Sequence, residues 1–429
     1  MLKYEKSLEV YATAEVVVVG GGPSGIAAAV SAAKLGRSTL LIERTGSLGG
    51  ASASAMVAEL MNFDDGVRFI SGGFGREVYD RLGYSHEYKR SWHNVRIEKL
   101  KRIYDDMILE SRVDLLLYTS LVDAVSEGGR VKYILVSTPS GPVAIVGRVF
   151  IDATGTGLLS ALAGAEFSYG DGEGRTMSAT VCSLWGGVDF ERKPRDADFY
   201  EAAYADGVFS YYDNALPGIK RNFPEVGVGG GNVGHAFGVD DRDARSMTEA
   251  TVSARRTMSE YERFYRGYVP GCERATLLRT ADYIGIRESR RIRCEYELCA
   301  DDFRRTEPFY DEIGRYSYPI DIHPMTADAE GMKNFYKSVS IKHEDGETYG
   351  IPYRALVVRG FDNLLVAGRS ISADRSMQAS ARVIPCCYIT GQAAGVGAAI
   401  AVASGCAARD VDVRELQSRL KNLGAYITV

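Results

Sequence analysis

Cysteine is scarce in this sequence, with seven residues in a chain of 429. The cysteines stand at positions 182, 272, 294, 299, 386, 387 and 406, and no two of them form a CxxC pair. An odd number of cysteines without that spacing predicts neither a disulfide framework nor a metal site. We recognise no secretory signal at the N-terminal end, so the expected location is the reducing cytoplasm.

The sequence also has no block of positive charge. It contains 51 Lys and Arg against 56 Asp and Glu, which gives a net charge of -5 and argues against a nucleic-acid binder. One apolar run, residues 386–404, is about long enough to cross a bilayer. Because the run is rich in Ala and Gly and contains Gln392, it predicts a helix buried in a large core, with no membrane span.

Glycine, in contrast, is abundant, with 47 residues, and it falls in clusters. The β-branched run at 15–19 (EVVVV) ends at a glycine triplet, and an Ala-rich segment follows at 25–35. A second apolar run at 38–42 ends at Glu43. Strand, glycine turn, helix and strand in this order predict a βαβ unit.

The segment Gly20 to Gly25 (GGGPSG) fits the dinucleotide fingerprint GxGxxG in the structural context that this motif requires. Gly20 permits the tight turn, Gly22 lets the backbone approach a pyrophosphate, and Gly25 lets helix and strand pack closely. The helix N-terminus offers N–H groups and partial positive charge to the phosphates. Glu43, 18 residues beyond Gly25, is predicted to accept hydrogen bonds from the ribose hydroxyls, which disfavours NADP.

The rest of the chain predicts two domains, with the first interrupted by the second. Short strands are expected from 113 to 146, and buried strands follow at 148–153 (RVFIDA) and 363–367 (NLLVA). The middle is rich in Tyr, Arg and Asp and is less cleanly patterned. We therefore predict a dinucleotide-binding domain over 1–174 and 351–429, with a substrate or cap domain over 175–350.

Several further motifs resemble the bacterial FAD-dependent oxidoreductases with a fumarate-reductase-like, glutathione-reductase-type fold. These motifs span nearly the whole chain and read LLIERTGSLGG, FIDATGTGLLSALAGA, RESRRIRCEYEL, YPIDIHP, IPYRALV, NLLVAGRSISA and SARVIPCCYITGQAAG. The resemblance implies an α/β fold: a Rossmann-like FAD-binding domain with a parallel sheet in a three-layer ββα arrangement, and an inserted α+β cap. It also implies an enzyme that uses FAD.

Carried onto this sequence, the resemblance implies a set of FAD-binding residues. They are Gly20, Gly22, Pro23, Ser24, Gly25, Glu43, Arg44, Gly49, Gly50, Ala51, Val122, Thr154, Gly155, Gly368, Arg369, Ile384 and Pro385. Val122 would offer its backbone to the adenine edge. Arg369 stands where many flavoproteins have Asp, so the usual carboxylate contact to the ribityl chain is in doubt. The helix after Pro385 would direct its N-terminus at the flavin and stabilise negative charge there.

Two residues are candidates for catalysis. His323, close to Asp321, is a candidate general base with a pKa near neutrality, although a structural histidine is an equal alternative. Arg382 precedes the last helix, at the place where fumarate-reductase-like enzymes bind a substrate carboxylate, and bonding to flavin or backbone is its alternative. His86 and His93 are expected at the surface.

An arginine cluster and an adjacent cysteine pair remain ambiguous. Arg287, Arg290, Arg291 and Arg293 would lie partly on one face of a helix, or in a strand pair, and one of them could serve as acid or anion anchor. A salt-bridged face with Glu288, Glu295 and Glu297 is the more ordinary interpretation. Cys386 and Cys387 could have lowered pKa values at a helix start, but small buried residues are the favoured interpretation.

These observations predict an oxidoreductase that transfers a hydride between a small organic substrate and noncovalent FAD. Carbon–carbon dehydrogenation or enone reduction is the first expectation. Oxidation of an alcohol, such as a sugar hydroxyl, or of an amine is the alternative, and a non-catalytic flavin sensor is a third. No second GxGxxG follows a strand, so electrons are expected to pass to or from an external carrier, O₂ or a partner protein.

Flavin attachment can be tested directly on the purified protein. Ala51 follows Gly50, and no His or Cys occurs between residues 1 and 85, so no side chain near the fingerprint is available for a covalent bond. We expect a yellow protein that releases intact FAD into the supernatant on acid precipitation. Flavin retained in the pellet, or FMN in the supernatant, would contradict this expectation.

Overall fold

The computed structural model of the chain describes residues 2, 5, 7–57, 59–85 and 88–429. The strands in chain order are β1 (Val10–Val19), β2 (Thr39–Ile42), β3 (Glu59–Leu60), β4 (His93–Asn94), β5 (Asp114–Leu116), β6 (Ser120–Glu127), β7 (Arg130–Thr138), β8 (Gly141–Asp152), β9 (Phe167–Tyr169), β10 (Ser183–Gly186), β11 (Lys220–Phe223), β12 (Val228–Gly231), β13 (Thr276–Thr280), β14 (Arg290–Ile292), β15 (Glu312–Tyr316), β16 (Tyr349–Pro352) and β17 (Leu364–Val366). The helices are α1 (Pro23–Lys34), α2 (Phe74–Leu82), α3 (Ile97–Glu110), α4 (Leu158–Leu162), α5 (Tyr200–Ala205), α6 (Ala244–Tyr268), α7 (Ala300–Arg305), α8 (Ala329–Val339), α9 (Arg375–Ala381), α10 (Ile384–Ser404) and α11 (Val413–Asn422).

The main sheet runs in the order β5-β2-β1-β8-β7-β6, and β17 also pairs with β8. Strands β5, β2, β1, β8 and β17 are mutually parallel, whereas β6, β7 and β8 form an antiparallel meander. In register, Val19 lies opposite both Ile42 and Asp152, and Asp152 lies opposite Val366. The carboxyl ends of four parallel strands therefore meet at one edge, where ligands of such sheets bind.

The valine run of β1 is buried on both faces of this sheet. Val16 and Val18 belong to a hydrophobic cluster with α1 and α10, whereas Val17 and Val19 pack on the opposite side with the meander. Successive side chains of a strand point to opposite faces, so a strand covered on both sides carries a continuous apolar run. The α/β fold with a Rossmann-like sheet between two layers is confirmed.

Helix α10 forms the centre of the larger cluster. It is long and apolar enough to cross a membrane, with a mean hydropathy of 1.5, but 94% of that stretch is buried inside the fold. A Cβ at Gly391 would lie 2.2 Å from the Ser24 carbonyl oxygen, and one at Gly395 would lie 2.1 Å from that of Ala28. The glycines thus let α10 lie backbone to backbone against α1, and the predicted buried helix is confirmed.

A second sheet, β11-β12-β10-β13, is antiparallel and lies in the middle segment, which interrupts the first domain in the sequence. Its aromatic cluster includes Trp185, together with Tyr261, Phe264 and Tyr265 from α6. The predicted inserted α+β unit is therefore present. Its boundaries at 175 and 350 stay a prediction, because Ile313 and other residues near β15 pack in the same cluster as α1 and α10.

The contact between α1 and α10 can be tested at Gly395. Replacing Gly395 with Ala places a methyl group against a backbone carbonyl, and we expect a loss of about 1–3 kcal/mol in the free energy of unfolding, as is typical of overpacking. Urea unfolding measures it. Gly267→Ala in α6 is the matched control, since a Cβ there meets no atom within 4 Å. That control should be neutral or stabilising by about 0.5–1 kcal/mol, and an equally harmless Gly395→Ala would contradict the close packing.

Candidate active site

A cleft of about 200 Å³ opens at the carboxyl edge of the main sheet. Its walls come from the glycine turn after β1, from the segments after β2 and β8, and from the starts of α1 and α10. Twelve of the predicted FAD-binding residues line it, namely Gly20, Gly22, Pro23, Ser24, Glu43, Arg44, Gly50, Ala51, Thr154, Gly155, Arg369 and Ile384. The structure thus gathers into one cleft residues that the sequence spreads over 365 positions.

The glycine turn owes its shape to two steric requirements. Gly20 has a φ of +103°, and a Cβ there would lie 2.6 Å from the Ala153 carbonyl oxygen. A Cβ on Gly25 would lie 1.8 Å from the Gly20 carbonyl oxygen, so only glycine lets α1 start this close to β1. No side chain caps α1, and the N–H groups and positive dipole end of its first turn therefore face the cleft.

Glu43 ties the glycine turn to the end of β2. Its Oε2 accepts a hydrogen bond from the Gly21 N–H at 2.8 Å, and its Oε1 accepts one from the Thr45 N–H at 2.8 Å. The side chain is buried but lines the cleft. A carboxylate has about four acceptor positions, so the ribose contact predicted for Glu43 is compatible with these bonds and stays a prediction.

Five predicted cofactor residues lie away from the cleft lining. Gly25 and Gly49 support the turn from behind, since the Gly49 N–H donates to the Gly21 carbonyl at 2.8 Å. The Gly368 N–H donates to Thr390, and the Pro385 carbonyl accepts from Ser71. Val122 is half-exposed on β6 at an irregularity between Leu121 and Asp123, which leaves it without a paired residue on β7. Its adenine contact stays a prediction.

Arg369, the departure from the usual Asp, bridges two walls of the cleft. Its Nε donates to the Gly155 carbonyl at 2.7 Å, and its Nη1 donates to the Ile286 carbonyl of the inserted unit. Burial lowers the pKa of the Arg369 guanidinium below its ordinary value. Arg369 thus places a guanidinium where many flavoproteins have the carboxylate of an Asp. Two of its N–H groups already donate to backbone carbonyl oxygens.

A larger cavity of about 470 Å³ adjoins the cleft. Ala51, Ile286, Arg369, Arg382 and Ile384 line both spaces. Much of the remaining wall is aromatic or aliphatic, and the ionisable groups of this wall among the described residues are Glu59, Lys220, Arg287, Asp321, His323, Arg369 and Arg382. The cavity thus has a largely apolar wall with a small number of ionisable groups, which is the usual form of a small-molecule site.

His323 and Arg382, the two predicted catalytic residues, meet at this wall through Asp321. His323 Nε2 lies 3.3 Å from Asp321 Oδ2, and Arg382 Nη2 donates to the same oxygen at 2.9 Å. Arg382 is therefore already ion-paired, while its buried Nε has no hydrogen-bond partner among the described residues. The two side chains thus meet at one carboxylate, and their catalytic roles stay predictions.

The pKa of His323 differs from the near-neutral value that its neighbouring acid suggested. Burial, together with the positive charge of Arg287, lowers this pKa from 6.5 to about 3, although Asp321 acts in the opposite direction. His323 is therefore neutral at physiological pH and has a lone pair available on one nitrogen. The near-neutral expectation was wrong because the local sequence shows the acid but not the depth of burial or Arg287.

A chain of hydrogen-bonded polar groups behind His323 was not predicted from the sequence. His323 Nδ1 lies 2.8 Å from His235 Nε2, and His235 Nδ1 lies 2.9 Å from Asp213 Oδ1. The three residues are separated by 88 and 22 positions in the chain, so no local motif marked them. In the sequence, the signal for a buried His235 was its place among mostly small and apolar residues in GNVGHAFG.

The structure also gives the contacts of the arginine cluster and the surroundings of the cysteine pair. Arg290 and Arg291 belong to strand β14, which pairs with β9, so the strand interpretation is confirmed. Arg291 pairs with Glu288 at 2.7 Å and Arg293 pairs with Glu297, whereas Arg287 has no carboxylate partner within 4.0 Å among the described residues. Burial raises the pKa of Cys387 to about 12 and that of Cys386 well above its ordinary value, which favours their interpretation as packing residues.

The two histidines expected at the surface have separate outcomes. His93 is half-buried and stacks on Tyr84 with 4.5 Å between ring centroids, and burial lowers its pKa. The surface expectation for His93 was wrong, because the aromatic residues around it form a packed cluster. His86 lies outside the described residues.

The cleft and cavity fit the FAD that the resemblance implies. An uncapped helix N-terminus with a glycine turn suits a pyrophosphate, and a buried acid after β2 suits a ribose. The start of α10, which also lacks a side-chain cap, reaches the junction of cleft and cavity at Ile384. The junction is where a flavin ring would meet a substrate held in the larger space.

Residues 15–420 match the protein family described as FAD dependent oxidoreductase. A stretch of 110 residues is 30% identical to the soluble pyridine nucleotide transhydrogenase of Mycobacterium bovis (strain BCG / Pasteur 1173P2), and it covers 24% of this chain and 23% of that protein. A Mycobacterium tuberculosis protein of the same name (strain ATCC 25177 / H37Ra) matches to the same extent. The match thus spans about a quarter of the length of these curated relatives.

Solved structures share the fold at low sequence identity. A geranylgeranyl bacteriochlorophyll reductase-like protein from Thermoplasma acidophilum is 14% identical, with a TM-score of 0.50 over 96% of this chain and 83% of that one. GidA from Aquifex aeolicus is 12% identical, with a TM-score of 0.50 over 91% of this chain and 64% of that one. At these identities the likeness shows the fold alone.

The lowered pKa of His323 predicts a pH dependence of stability. In the unfolded chain this imidazole binds a proton below about pH 6.5, but in the folded protein it stays neutral down to about pH 3. The fold should therefore lose stability as the pH falls between these values, by up to about 1.4 kcal/mol per pH unit from this group. Urea unfolding of His323→Asn should show a shallower pH dependence than wild type below pH ~6.5, with pH ~8 as the reference. Parallel pH profiles would contradict the buried neutral state.

Proposed function

The chain belongs to the family of FAD-dependent oxidoreductases, and we propose that it transfers a hydride between a small organic substrate in the larger cavity and noncovalent FAD in the cleft. The proposed reaction is carbon–carbon dehydrogenation or its reverse, the reduction of an enone. The observation that supports this reaction is that a neutral imidazole, His323, and a guanidinium, Arg382, lie on one wall of the cavity that adjoins the cofactor cleft.

The chain's own residues account for the placement of the cofactor. The first turn of α1 and the glycine turn would bind the pyrophosphate, Glu43 would bind the ribose, and the first turn of α10 would lie against the flavin. Bound FAD supplies the two-electron acceptor or donor, which no amino-acid side chain provides. The residues around the larger cavity bind the substrate, exclude water and move the proton.

Removing a hydride and a proton from adjacent carbons requires a base and a group that polarises the substrate. His323 has the lone pair that a base needs. Arg382 and Arg287 line the same cavity, and either guanidinium would stabilise developing negative charge on a carbonyl or carboxylate oxygen. The resemblance of the chain to fumarate-reductase-like enzymes supports this version of the reaction.

Oxidation of an alcohol or amine is the second candidate, and the pairing of Arg382 favours it. Because Arg382 already donates to Asp321, it is less available to a substrate anion than the sequence suggested. Alcohol oxidation needs only the base and the flavin. A sensor without turnover is disfavoured, since the family is one of oxidoreductases and a sensor needs no base beside its cavity.

An external electron carrier, O₂ or a partner protein completes the proposed cycle. The pattern GxGxxG recurs at 229–234 (GGGNVG), but there β12 pairs antiparallel with β10 and the next helix, α6, begins only at Ala244, so the context of a dinucleotide site is missing. The match to the transhydrogenases is too short to bring their nicotinamide chemistry to this chain. The proposed organisation keeps the FAD domain at 1–174 and 351–429 and the cap at 175–350. The cytoplasm stays the proposed compartment.

Replacement of His323 tests its role as base. With a substrate found by screening for flavin bleaching, His323→Ala should keep FAD bound and slow anaerobic flavin reduction by about 10²–10⁴-fold, as expected for a lost general base. His343→Ala is the control, because His343 is also buried but bonds the Phe303 carbonyl outside the cavity. Reduction of His323→Ala at the wild-type rate would assign His323 a structural role and remove the base from both versions of the reaction.

Replacement of Arg382 separates the two versions. If Arg382 binds the substrate, Arg382→Lys should raise the substrate dissociation constant while the flavin spectrum stays unchanged, because an ammonium group lacks the guanidinium fork. Arg255→Lys, on the exposed face of α6, controls for the change of side chain. Loss of FAD from Arg382→Lys would instead place this arginine with the cofactor, and an unchanged dissociation constant would favour alcohol oxidation.

A further inference from the structure

Behind His323, which lines the substrate cavity, two buried polar residues lie outside the cavity lining. Asp213 Oδ1 lies 2.9 Å from His235 Nδ1, and His235 Nε2 lies 2.8 Å from His323 Nδ1. The side chains of His235 and Asp213 are 0% and 1% exposed, and neither residue lines the larger cavity. We call Asp213, His235 and His323 the buried relay.

The surroundings hold the buried relay in one geometry. The second oxygen of Asp213, Oδ2, accepts a hydrogen bond from the backbone N–H of His235 at 2.8 Å, so the carboxylate bonds both the backbone and the ring of His235. The Asp213 N–H donates to the Tyr200 hydroxyl at 2.7 Å, and the Tyr211 hydroxyl donates to the His235 carbonyl at 2.9 Å. The His235 ring therefore has little freedom to turn.

These contacts determine which nitrogen carries each proton. The pKa of Asp213 is lowered by the charge and hydrogen bonds of His235, so the carboxylate is ionised and accepts a proton from His235 Nδ1. A neutral His235 then has its lone pair on Nε2, which accepts from His323 Nδ1–H. A neutral His323 is left with its lone pair on Nε2, the nitrogen that lies 3.3 Å from Asp321 on the cavity wall.

The contact distances support the same assignment. The two rings have four nitrogens and make three contacts, to Asp213, to each other and to Asp321. Two neutral rings carry two protons, and the two short contacts of 2.9 and 2.8 Å take them. The third contact, 3.3 Å from His323 Nε2 to Asp321, is the one without a proton.

We propose that Asp213 and His235 are positioning residues, which hold His323 in the tautomer whose Nε2 accepts the substrate proton. This inference rests on the proposed function. In the oxidation step the substrate proton moves to Nε2, a C–H bond delivers its hydride to FAD, and the remaining electron pair forms the new double bond of the product. The substrate is oxidised by two electrons, and the FAD is reduced by two.

Once protonated, His323 donates along both of its contacts. Its new Nε2–H faces the Asp321 carboxylate, and its Nδ1–H remains bonded to His235, so the added charge lies between Asp321 and the buried relay. Among the other groups at this site, the charges of Arg287 and His235 lower the pKa of His323 and so oppose the imidazolium. The Tyr318 hydroxyl donates to Asp321 at 3.3 Å. Asp321 is thus the group that stabilises the added proton, and the buried relay orients the ring that accepts it.

The tautomers can be measured on the wild-type holoprotein without a substrate. Two-bond ¹H–¹⁵N correlation spectra of protein labelled with ¹⁵N-histidine report which ring nitrogen carries the proton. At about pH 7 we expect both His235 and His323 as the Nδ1–H form, whereas the Nε2–H form predominates in free histidine side chains. A His323 with its proton on Nε2 would overturn the proposal, whatever any variant shows.

An amide at position 213 should switch the tautomers of both His235 and His323. Because one oxygen must still accept the His235 backbone N–H, Asp213→Asn turns its NH₂ group toward His235 Nδ1, and both rings must switch to the Nε2–H form. His323 then has no lone pair for the substrate. We expect flavin reduction to slow by about 10²–10⁴-fold, with the substrate dissociation constant unchanged. Asp196→Asn is the control, since Asp196 is a buried acid in the same unit paired with Lys193.

The outcomes separate this inference from the proposed function. Switched tautomers with slowed reduction and unchanged substrate affinity support the positioning role. A reduction rate in Asp213→Asn equal to that of Asp196→Asn, with switched tautomers, overturns it. If wild type shows the expected tautomers but no organic substrate bleaches the flavin, the proposed function fails while the assignment of the protons stands.

Discussion

The backbone contact between α1 and α10 is the constraint on which the site depends. Gly391 and Gly395 let the two helices approach until a side chain would collide with the carbonyl oxygens of Ser24 and Ala28. Both helices begin at the same edge of the sheet, and neither start has a side-chain cap. Two positive dipole ends therefore face one cleft, which suits the anionic pyrophosphate and a flavin that becomes negative on reduction.

A single carboxylate, Asp321, organises the charge of the neighbouring cavity. It accepts Arg382 at 2.9 Å and lies 3.3 Å from His323, so it balances a permanent cation, and in the proposed reaction it would also balance a protonated His323. Burial and Arg287 keep the imidazole neutral before reaction. The same pairing explains why Arg382 is a weaker candidate for a substrate anchor than its position in the sequence suggested.

Much of the first domain could be predicted because its signals are local. A valine run, a glycine turn that only glycine can form and an acid after the next strand lie within 29 residues, and each has one structural meaning in that order. The inserted unit was visible only as a change in composition. Its antiparallel sheet pairs strands as distant as β10 and β13, and such pairing leaves no local pattern.

By itself the sequence determined the βαβ unit, the buried character of the last long helix, the dinucleotide site and, through its resemblance, the use of FAD. Only the tertiary structure decided that Asp213 and His235 stand behind His323, that Arg382 is paired, and that His323 is neutral. The reason is physical: a tautomer, an ion pair and a pKa are set by groups within a few ångströms, and here the contacting rings of His235 and His323 are 88 positions apart in the chain.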